Sequence, residues 1–566
     1  MSLTDDFKEN PAKFILNRER QLAKVREPYL PLWKDIIDFV DPRLYNLDST
    51  KVEGMKVGQY MFDGTPISAL NLLADGLHGY LVSPSMRWFK LKLAGVGSLE
   101  DLLEVRQWLE NVEEVMFSAF QRSNFYETMS SFFRDGGSIG TAHLYSEEDI
   151  RSNRIVFSVR HPGEMCIAQN FFGRVDTEYR KCQFTLRQLV TMFGKAVPAQ
   201  MSLRAATSPE EKQWVIHAVF PNEDRDVMKI DSGNLPFSSY YVLEKGDTGP
   251  VVLSKSGYRS NPYASWRWKV LSNEIYGRSP ASDALVDIIS LHQIGRSLLK
   301  AAHLSVEPPL NVPSEMRGKV RINPSGINYY EDAGRFISPV NLGINFPIGE
   351  DREARKIKII EEHFKVDFFI MLARSERMMT ATEIMERQGE KAAVLGPTIG
   401  RLNSEALDPI IDRVFDIELE AGRLPAPPDI VVEKFAGHPI EVDYMGPLAQ
   451  AQKRLFKVQG VTNTIESIKP LLEIDASILD NFDLDEIARQ VAEANGLITR
   501  AMRPMDVVLA IRQSREEAIK AEKMAAMLAA TSQAIPNLSQ TPGKGSPIDQ
   551  MQGAMEGGAM EGGRVA

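Results

Sequence analysis

Apolar residues recur at three- and four-residue spacing from Pro11 to Val40, with Phe14, Ile15, Leu22 and Val25, then Leu32, Trp33, Ile36 and Ile37. That period predicts helix, and Asp41-Pro42-Arg43 stops it because the residue before a proline is driven out of the helical region. A second helix is predicted after Asp63-Gly64-Thr65-Pro66. Thr65 can cap it, Pro66 suits its first turn, and Ile67, Leu70, Leu73, Ala74 and Leu77 form one face that ends near Ser83-Pro84-Ser85. Glu100 to Phe133, rich in Leu, Val, Phe and Met, reads as further helix. Between about Thr141 and Val270 the period changes to short runs such as Ile155-Val156-Phe157-Ser158-Val159, Trp214 to Val219 and Tyr240-Tyr241-Val242-Leu243, separated by Gly, Pro, Asn and Asp. These predict a mainly antiparallel β region. Helices followed by strands, without βαβ alternation, imply an α+β fold and not a nucleotide-binding α/β sheet.

Ser279-Pro280 opens a helix in which Leu285, Ile288, His292, Gly295, Leu299 and Ala302 keep a seven-residue rhythm, and Pro308-Pro309 closes it. Its length would be roughly 40 Å. About forty residues of Pro- and Gly-punctuated short strands follow, including Arg321 to Ile327. A second long helix is expected from Glu350-Asp351, whose charge suits a helix N-terminus, with Ile357, Ile360, Phe364, Phe368 and Met371 on one side. After a break at Ala373 to Met379, Thr380-Ala381-Thr382-Glu383 is a capping-box pattern. The helix it starts runs to Gly422, before Pro425, Pro427 and Pro428, with Pro397 and Pro409 expected to kink or divide it. Gln452 to Ala530 is again mostly helical. Ser532 to Ala566, rich in Gly, Pro, Ser and Met, is expected to be disordered.

At 566 residues the chain is too long for one core, and about 150 residues per domain suggests three or four units. A net charge of −10 argues against a protein that grips DNA by neutralising many phosphates. It is compatible with one that surrounds DNA, since a wall of like sign keeps the polyanion from sticking. Cys166 and Cys182 alone supply neither a disulfide framework nor a four-ligand zinc site, and a reducing cytosol suits them. Met1 to Asp6 lacks the basic and apolar blocks of a signal peptide, and no apolar run approaches the ~20 residues of a membrane span.

One segment has the form of a catalytic motif. Gly136-Gly137-Ser138-Ile139-Gly140 matches the G-x-S-x-G elbow of serine hydrolases, yet an elbow needs a strand before the serine and a helix after it. Here a helical stretch precedes and the strand-like Thr141 to Tyr145 follows, so a glycine-rich helix-to-strand turn is the stronger reading. The eight histidines form no H-E-x-x-H and no His/Cys cluster, so no metal is expected. Gly95-Val96-Gly97 and Gly194-Lys195 lack the rest of a phosphate loop, and no cofactor is expected. The absence of a nucleophile or carboxylate with a credible partner favours a structural protein over an enzyme. Arg374 and Arg377 lie in the break between two long helices: they can meet DNA phosphates if identical subunits ring a duplex, or line a solvated loop where Glu376 balances one charge. The basic cluster Arg352, Arg355, Lys356 and Lys358 reads as a solvated helix face.

The residues resemble the podovirus head-to-tail connector, or portal, family. The resemblance is carried by Trp33, Asp41-Pro42-Arg43, Phe62 to Pro66, Ala69-Leu70, Leu81 to Ser85 and Arg87-Trp88-Phe89. Tyr276 to Pro280, Thr380 to Ile384, Glu405 to Pro409 and Arg423 to Pro428 extend it, so that it covers about Arg18 to Pro428, with little beyond Glu433. It implies a homo-oligomeric, usually dodecameric ring at one capsid vertex, with a wing at 1–278, stem helices at 279–305 and 350–372, and a small α/β clip at 306–349 between them. A channel loop at 373–379, a long kinked wing helix at 380–432, a helical crown at 433–531 and the tail at 532–566 complete the expected organisation. Implied partners are the large terminase subunit, major capsid and scaffolding proteins, tail adaptor proteins and double-stranded DNA passing without sequence specificity. The implied location is the virion, with the host cytoplasm during assembly. A serine hydrolase at Ser138 and a non-viral cytosolic scaffold remain the alternatives.

Overall fold

Asn10 accepts the Lys13 amide on its side-chain oxygen and Pro11 fills the first turn, which starts helix α1 (Pro11–Arg26). The computed structural model describes residues 7–44, 56–93, 103–312, 346–373, 395–434, 440–445 and 505–534, except 8, 227, 230, 247 and 248, and a few isolated positions between these segments. After a single 3-10 turn at Glu27–Tyr29, α2 (Leu30–Phe39) follows. Arg134 explains the Asp41-Pro42-Arg43 stop: its guanidinium clamps the buried Asp41 carboxylate through two bonds of 2.8 and 2.9 Å. α3 (Thr65–Leu81) begins as expected. Its N-cap position is Gly64 and not Thr65, however, and the Asp63 carboxylate just before it accepts the Thr65 amide at 2.6 Å.

β1 (Phe89–Leu93) leads to α4 (Leu103–Arg122) and α5 (Phe125–Ser138). The continuous helix expected from Glu100 to Phe133 is divided at Ser123-Asn124. Ser123 Oγ turns back to the Phe120 carbonyl, and the Asn124 amide pairs with both backbone groups of Phe157. The second helix then continues through Gly136 and Gly137, which replaces the expected glycine-rich turn. A side chain at Gly136 would collide with the Trp266 ring, and one at Gly137 would reach Leu70 at 2.9 Å. The glycines are there for close helix packing, and the turn itself falls at Gly140, whose φ of 89° suits glycine.

The β region is antiparallel. β2 (Thr141–Asp149), β3 (Arg154–Arg160) and β9 (Tyr263–Arg267) form a three-stranded sheet in the order β3-β2-β9. β4 (Met165–Gln169), β5 (Val175–Thr185), β6 (Lys212–Pro221), β7 (Phe237–Leu243) and β8 (Val251–Tyr258) form a five-stranded meander. Two short helices absent from the sequence reading, α6 (Leu186–Phe193) and α7 (Ala199–Thr207), cross between β5 and β6. Thr185 and Gln188 build a complete capping box at the first of them.

The core under the three-stranded sheet is aromatic. Trp88, Phe89, Phe120, Phe125, Phe132, Phe133 and Trp266 are all fully buried, each contributing about 1.5–3 kcal/mol of hydrophobic stabilisation. A polar seam joins the two sheets. His217 bonds Tyr263 Oη at 2.8 Å and Ser239 Oγ at 3.0 Å, and His143 bonds Ser265 Oγ at 2.8 Å. Burial holds both imidazoles neutral, His143 down to about 3, with nearby arginines adding to the effect. In the same seam Glu178 accepts from Asn261 at 3.0 Å, and burial pushes its carboxyl up to about 8.

A pH dependence follows from Glu178. Its folded-state value lies above the unfolded one, so its contribution is full below about 4.5, declines as pH rises and is gone above about 8. Glu178→Gln should therefore unfold at a temperature similar to that of the parent at pH 5 and several degrees higher at pH 9. Equal pH profiles in thermal unfolding would refute this.

α8 (Pro280–Val306) and α9 (Phe346–His363) flank a segment of which only a two-residue pair, β10 (Leu310–Asn311) with β11 (Ser338–Pro339), is a described strand pairing. Most of the insert between the two helices lies outside the described residues. The second helix starts four residues before Glu350 and breaks at Phe364-Lys365, with α10 (Val366–Ala373) after it. Residues 395–402 are helical, 403–407 form a π-turn, and α11 (Asp408–Glu420) ends at Gly422, φ 66°. The π-turn is the local answer to Pro409, which has no N–H for the preceding turn; the Asp408 amide instead bonds the Asn403 carbonyl.

α12 (Asp429–Lys434) leads to β12 (Ile440–Tyr444), which pairs with β1, Phe89 opposite Tyr444. Within the second of the chain's two units, Gly496–Ala566, α13 (Met505–Ala534) is a long helix whose side chains are mostly exposed between 507 and 526. Residues 446–484 and nearly all of the expected tail lie outside the described set. Among the described residues no helix is long and apolar enough to cross a membrane.

Candidate functional site

The arrangement most suited to a role beyond self-support is the helix pair α8/α9 and its anchorage. α8 is specified locally: Ser279 accepts the Ser282 amide at 2.9 Å, Ser282 returns a bond to the Ser279 amide, and Pro280 occupies the first turn. Its first half is built into the body through Ala281, Ala284, Leu285, Ile288 and Leu291. Beyond His292 many of its residues are exposed. α9 runs antiparallel beside it, since Lys356 pairs with Asp287 at 2.5 Å while a side chain at Gly349 would come within 2.5 Å of Leu298.

His292 marks where α8 leaves the body. Nδ1 accepts the Phe62 and Asp63 amides at 3.1 and 3.3 Å, so Nε2 carries the proton and donates to the Phe39 carbonyl at 3.1 Å. Burial lowers its pKa. His292 is therefore a clamp between α8 and two N-terminal segments.

At the other end of the pair, Lys365 adopts the left-handed conformation, φ 58°, a strained choice for a residue with a side chain. It frees Phe364, Val366, Phe368 and Phe369 to turn inward, and Phe369 fills the notch left by Gly76 on α3. Arg374 and Arg377 follow directly after α10 in the chain but lie outside the described residues, as do Thr380 to Glu383.

The residue that sequence reasoning missed is Arg267, at the end of β9 and 1% exposed. Its guanidinium bonds both Glu405 oxygens at 2.7 and 3.2 Å, Gln169 Oε1 at 3.0 Å, and the carbonyls of Ile275 and Gly173 at 3.2 and 2.8 Å. Glu405 lies in the π-turn and also holds Arg401 at 2.8 Å. One cation thus ties the β4–β5 hairpin, the loop before α8 and the helical stretch that contains Glu405.

Ser138, the candidate nucleophile, has no accessible surface and closes α5, where its hydroxyl turns back to the Asp135 carbonyl at 3.3 Å. Its own carbonyl accepts Ser279 Oγ at 2.5 Å. The strand-turn-helix geometry that an elbow requires is not what surrounds it. Among the described residues no group of three or more His, Cys, Asp and Glu is placed to hold a metal ion.

Against known proteins, the chain matches the family described as bacteriophage head to tail connecting protein over residues 12–502. It belongs to that family. This connector is 32% identical over 526 residues to a probable portal protein of Bordetella phage BPP-1, covering 91% of the connector and 93% of the relative. It is 28% identical over 545 residues to the portal protein of Salmonella phage epsilon15, covering 94% and 96%, and 23% identical over 447 residues to that of Escherichia phage T7, covering 75% and 77%. The relationship therefore runs well past the Arg18 to Pro428 stretch that carried it in the sequence, through segments with few distinctive motifs.

Proposed function

We propose that the connector assembles into a ring of identical subunits, expected to be a dodecamer, at one vertex of the capsid, and that DNA enters and leaves through its centre. In this reading residues 1–278 form the wing, 279–305 and 350–372 the stem, 306–349 the clip and 380–432 the helix that returns through the wing. Residues 433–531 form the crown. The clip receives the large terminase subunit during filling and a tail adaptor afterwards, while the wing meets capsid and scaffolding proteins. Assembly takes place in the host cytoplasm and the finished ring stays in the virion.

The observation that best supports this is the distribution of apolar side chains on α8. Val286, 75% exposed, lies on one side of the helix, and Leu299 and Val306, 52% and 82% exposed, lie roughly opposite. A ring requires two different faces of each subunit to meet, and a helix with unburied apolar residues on two sides offers them. The net charge of −10 suits a wall that DNA passes without sticking. Native mass spectrometry with negative-stain imaging should find rings with a central channel; subunits that stay monomeric even with capsid and scaffolding proteins would overturn the reading.

Arg374 and Arg377, in the channel loop 373–379 of this reading, would meet phosphates of the passing duplex in turn, without sequence specificity. Replacing both with Ala should leave rings intact and lower the DNA retained per particle severalfold. Full retention, or failure of the variant to assemble, would count against that role.

A further inference from the structure

The β4–β5 hairpin carries Phe171 and Phe172 at its tip, 97% and 84% exposed. They are an edge-to-face ring pair with centroids 5.6 Å apart. Isolated exposed apolar residues are ordinary, but two adjacent phenylalanines on a rigid tip are not. Local hydrogen bonds hold the tip rigid. Asn170 Oδ1 accepts the Phe172 and Arg174 amides at 3.0 and 3.1 Å, and Gly173 takes the left-handed conformation at φ 79°. The Gly173 carbonyl is held at 2.8 Å by the buried Arg267. The ordering cost of this loop is therefore met within the subunit, the condition under which aromatic anchors bind well.

The same chain carries a matching recess. Between the start of α1 and the ends of β5, β6 and β7 lies a cleft walled by Phe7, Phe14, Tyr179 and Phe220, with Glu223 and Asp224 on its rim. Arg174, beside the two phenylalanines, is exposed and cationic. An aromatic pair flanked by a cation thus complements an aromatic cleft flanked by the Glu223 carboxylate. Arg18 also lines the cleft, where Asp176 attracts it. The tip does not fill the cleft of its own chain, because both rings remain exposed.

We infer that Phe171 and Phe172 of one connector subunit insert into the Phe7/Phe14/Tyr179/Phe220 cleft of a second copy, with Arg174 meeting Glu223. When the tip of each copy enters the cleft of the next, the contact is heterologous; it propagates from copy to copy and closes into a ring when the rotation allows. The inference rests on the ring reading for its setting, but the contact itself is a separate claim.

The test places a photoreactive benzophenone amino acid at position 171 of the full-length chain and irradiates the purified oligomer. Crosslinks joining two copies, mapped to peptides containing Phe7 to Phe14, Tyr179 or Phe220 to Asp224, are expected. Rings whose crosslinks map elsewhere on the chain, or form only with another protein in assembled particles, would overturn the contact. Crosslinks to the cleft in an oligomer that never closes would keep the contact and remove the ring. As a second arm, Arg174→Glu should lower the crosslink yield at least fivefold, and adding Glu223→Lys should restore it. An undiminished yield with Arg174→Glu, or no restoration, would exclude the charge pairing.

Discussion

Arg267→Met is expected to lower stability by about 3–5 kcal/mol, because removing one member of a buried ion pair leaves the other uncompensated. Glu405, only 11% exposed, would keep Arg401 alone as its cation. Gln169 Oε1 and the carbonyls of Ile275 and Gly173 would lose donors in a space shaped for a guanidinium. Chemical denaturation of wild type and variant, followed by far-UV circular dichroism, measures the loss; a change under about 1 kcal/mol would show that the cluster is not a keystone. Arg267→Lys should fall between, since an ammonium cannot reach acceptors spread around a planar fork. Combining Arg267→Met with Glu405→Leu should recover part of the loss, because the uncompensated charge leaves with its partner.

The same residues show where the sequence could be read and where it could not. Helices α1 to α3 and α8 were legible because their signals are local: a three-to-four-residue apolar period, a proline in the first turn, a capping serine. The Thr185-Leu186-Arg187-Gln188 pattern carries as clear a signal for α6, but it sits among short apolar runs whose period is that of strands. Arg267 was illegible for another reason: its carboxylate partner is 138 residues away, and no local spacing announces the pair. β1 shows the intermediate case. Its alternation Phe89-Lys90-Leu91-Lys92-Leu93 marks a strand, yet its partner is β12, which only the folded chain supplies. For the candidate site, the long helix pair was visible in outline. The Lys365 break was not, and of the disturbance expected at Pro409 the π form was not, because tertiary packing decides how a helix absorbs an unfavourable residue.

Gly277→Val should have an effect at least as large, and it probes the junction on which the helix pair depends. At this point two backbones cross. A side chain at Gly277 would collide with the Gly140 carbonyl, and one at Gly140 would come within 2.6 Å of the Gly277 carbonyl. The obstructing atoms are main chain, so no rotamer change relieves the overlap, and φ of 89° at Gly140 excludes a compensating shift to an ordinary conformation. The bonds around the crossing would be lost with it: the Gly277 amide to Thr141 Oγ1 at 2.8 Å, the Trp268 amide to the Gly140 carbonyl at 2.9 Å, and Ser279 Oγ to the Ser138 carbonyl at 2.5 Å. Together they fix the first turn of α8 to the end of α5 and the start of β2. Strain and unmet hydrogen bonds on this scale place the expected loss on the order of 4 kcal/mol or more. The variant should yield little soluble protein and no rings. Gly79→Ala is the matching control: it lies inside α3 with nothing within 4 Å of its new methyl, and it should gain about 0.5–1 kcal/mol from helix propensity. If Gly277→Val folded and assembled like the control, the helix pair would not depend on this crossing, and the anchorage of α8 would have to be sought in His292 and the Asp287–Lys356 pair instead.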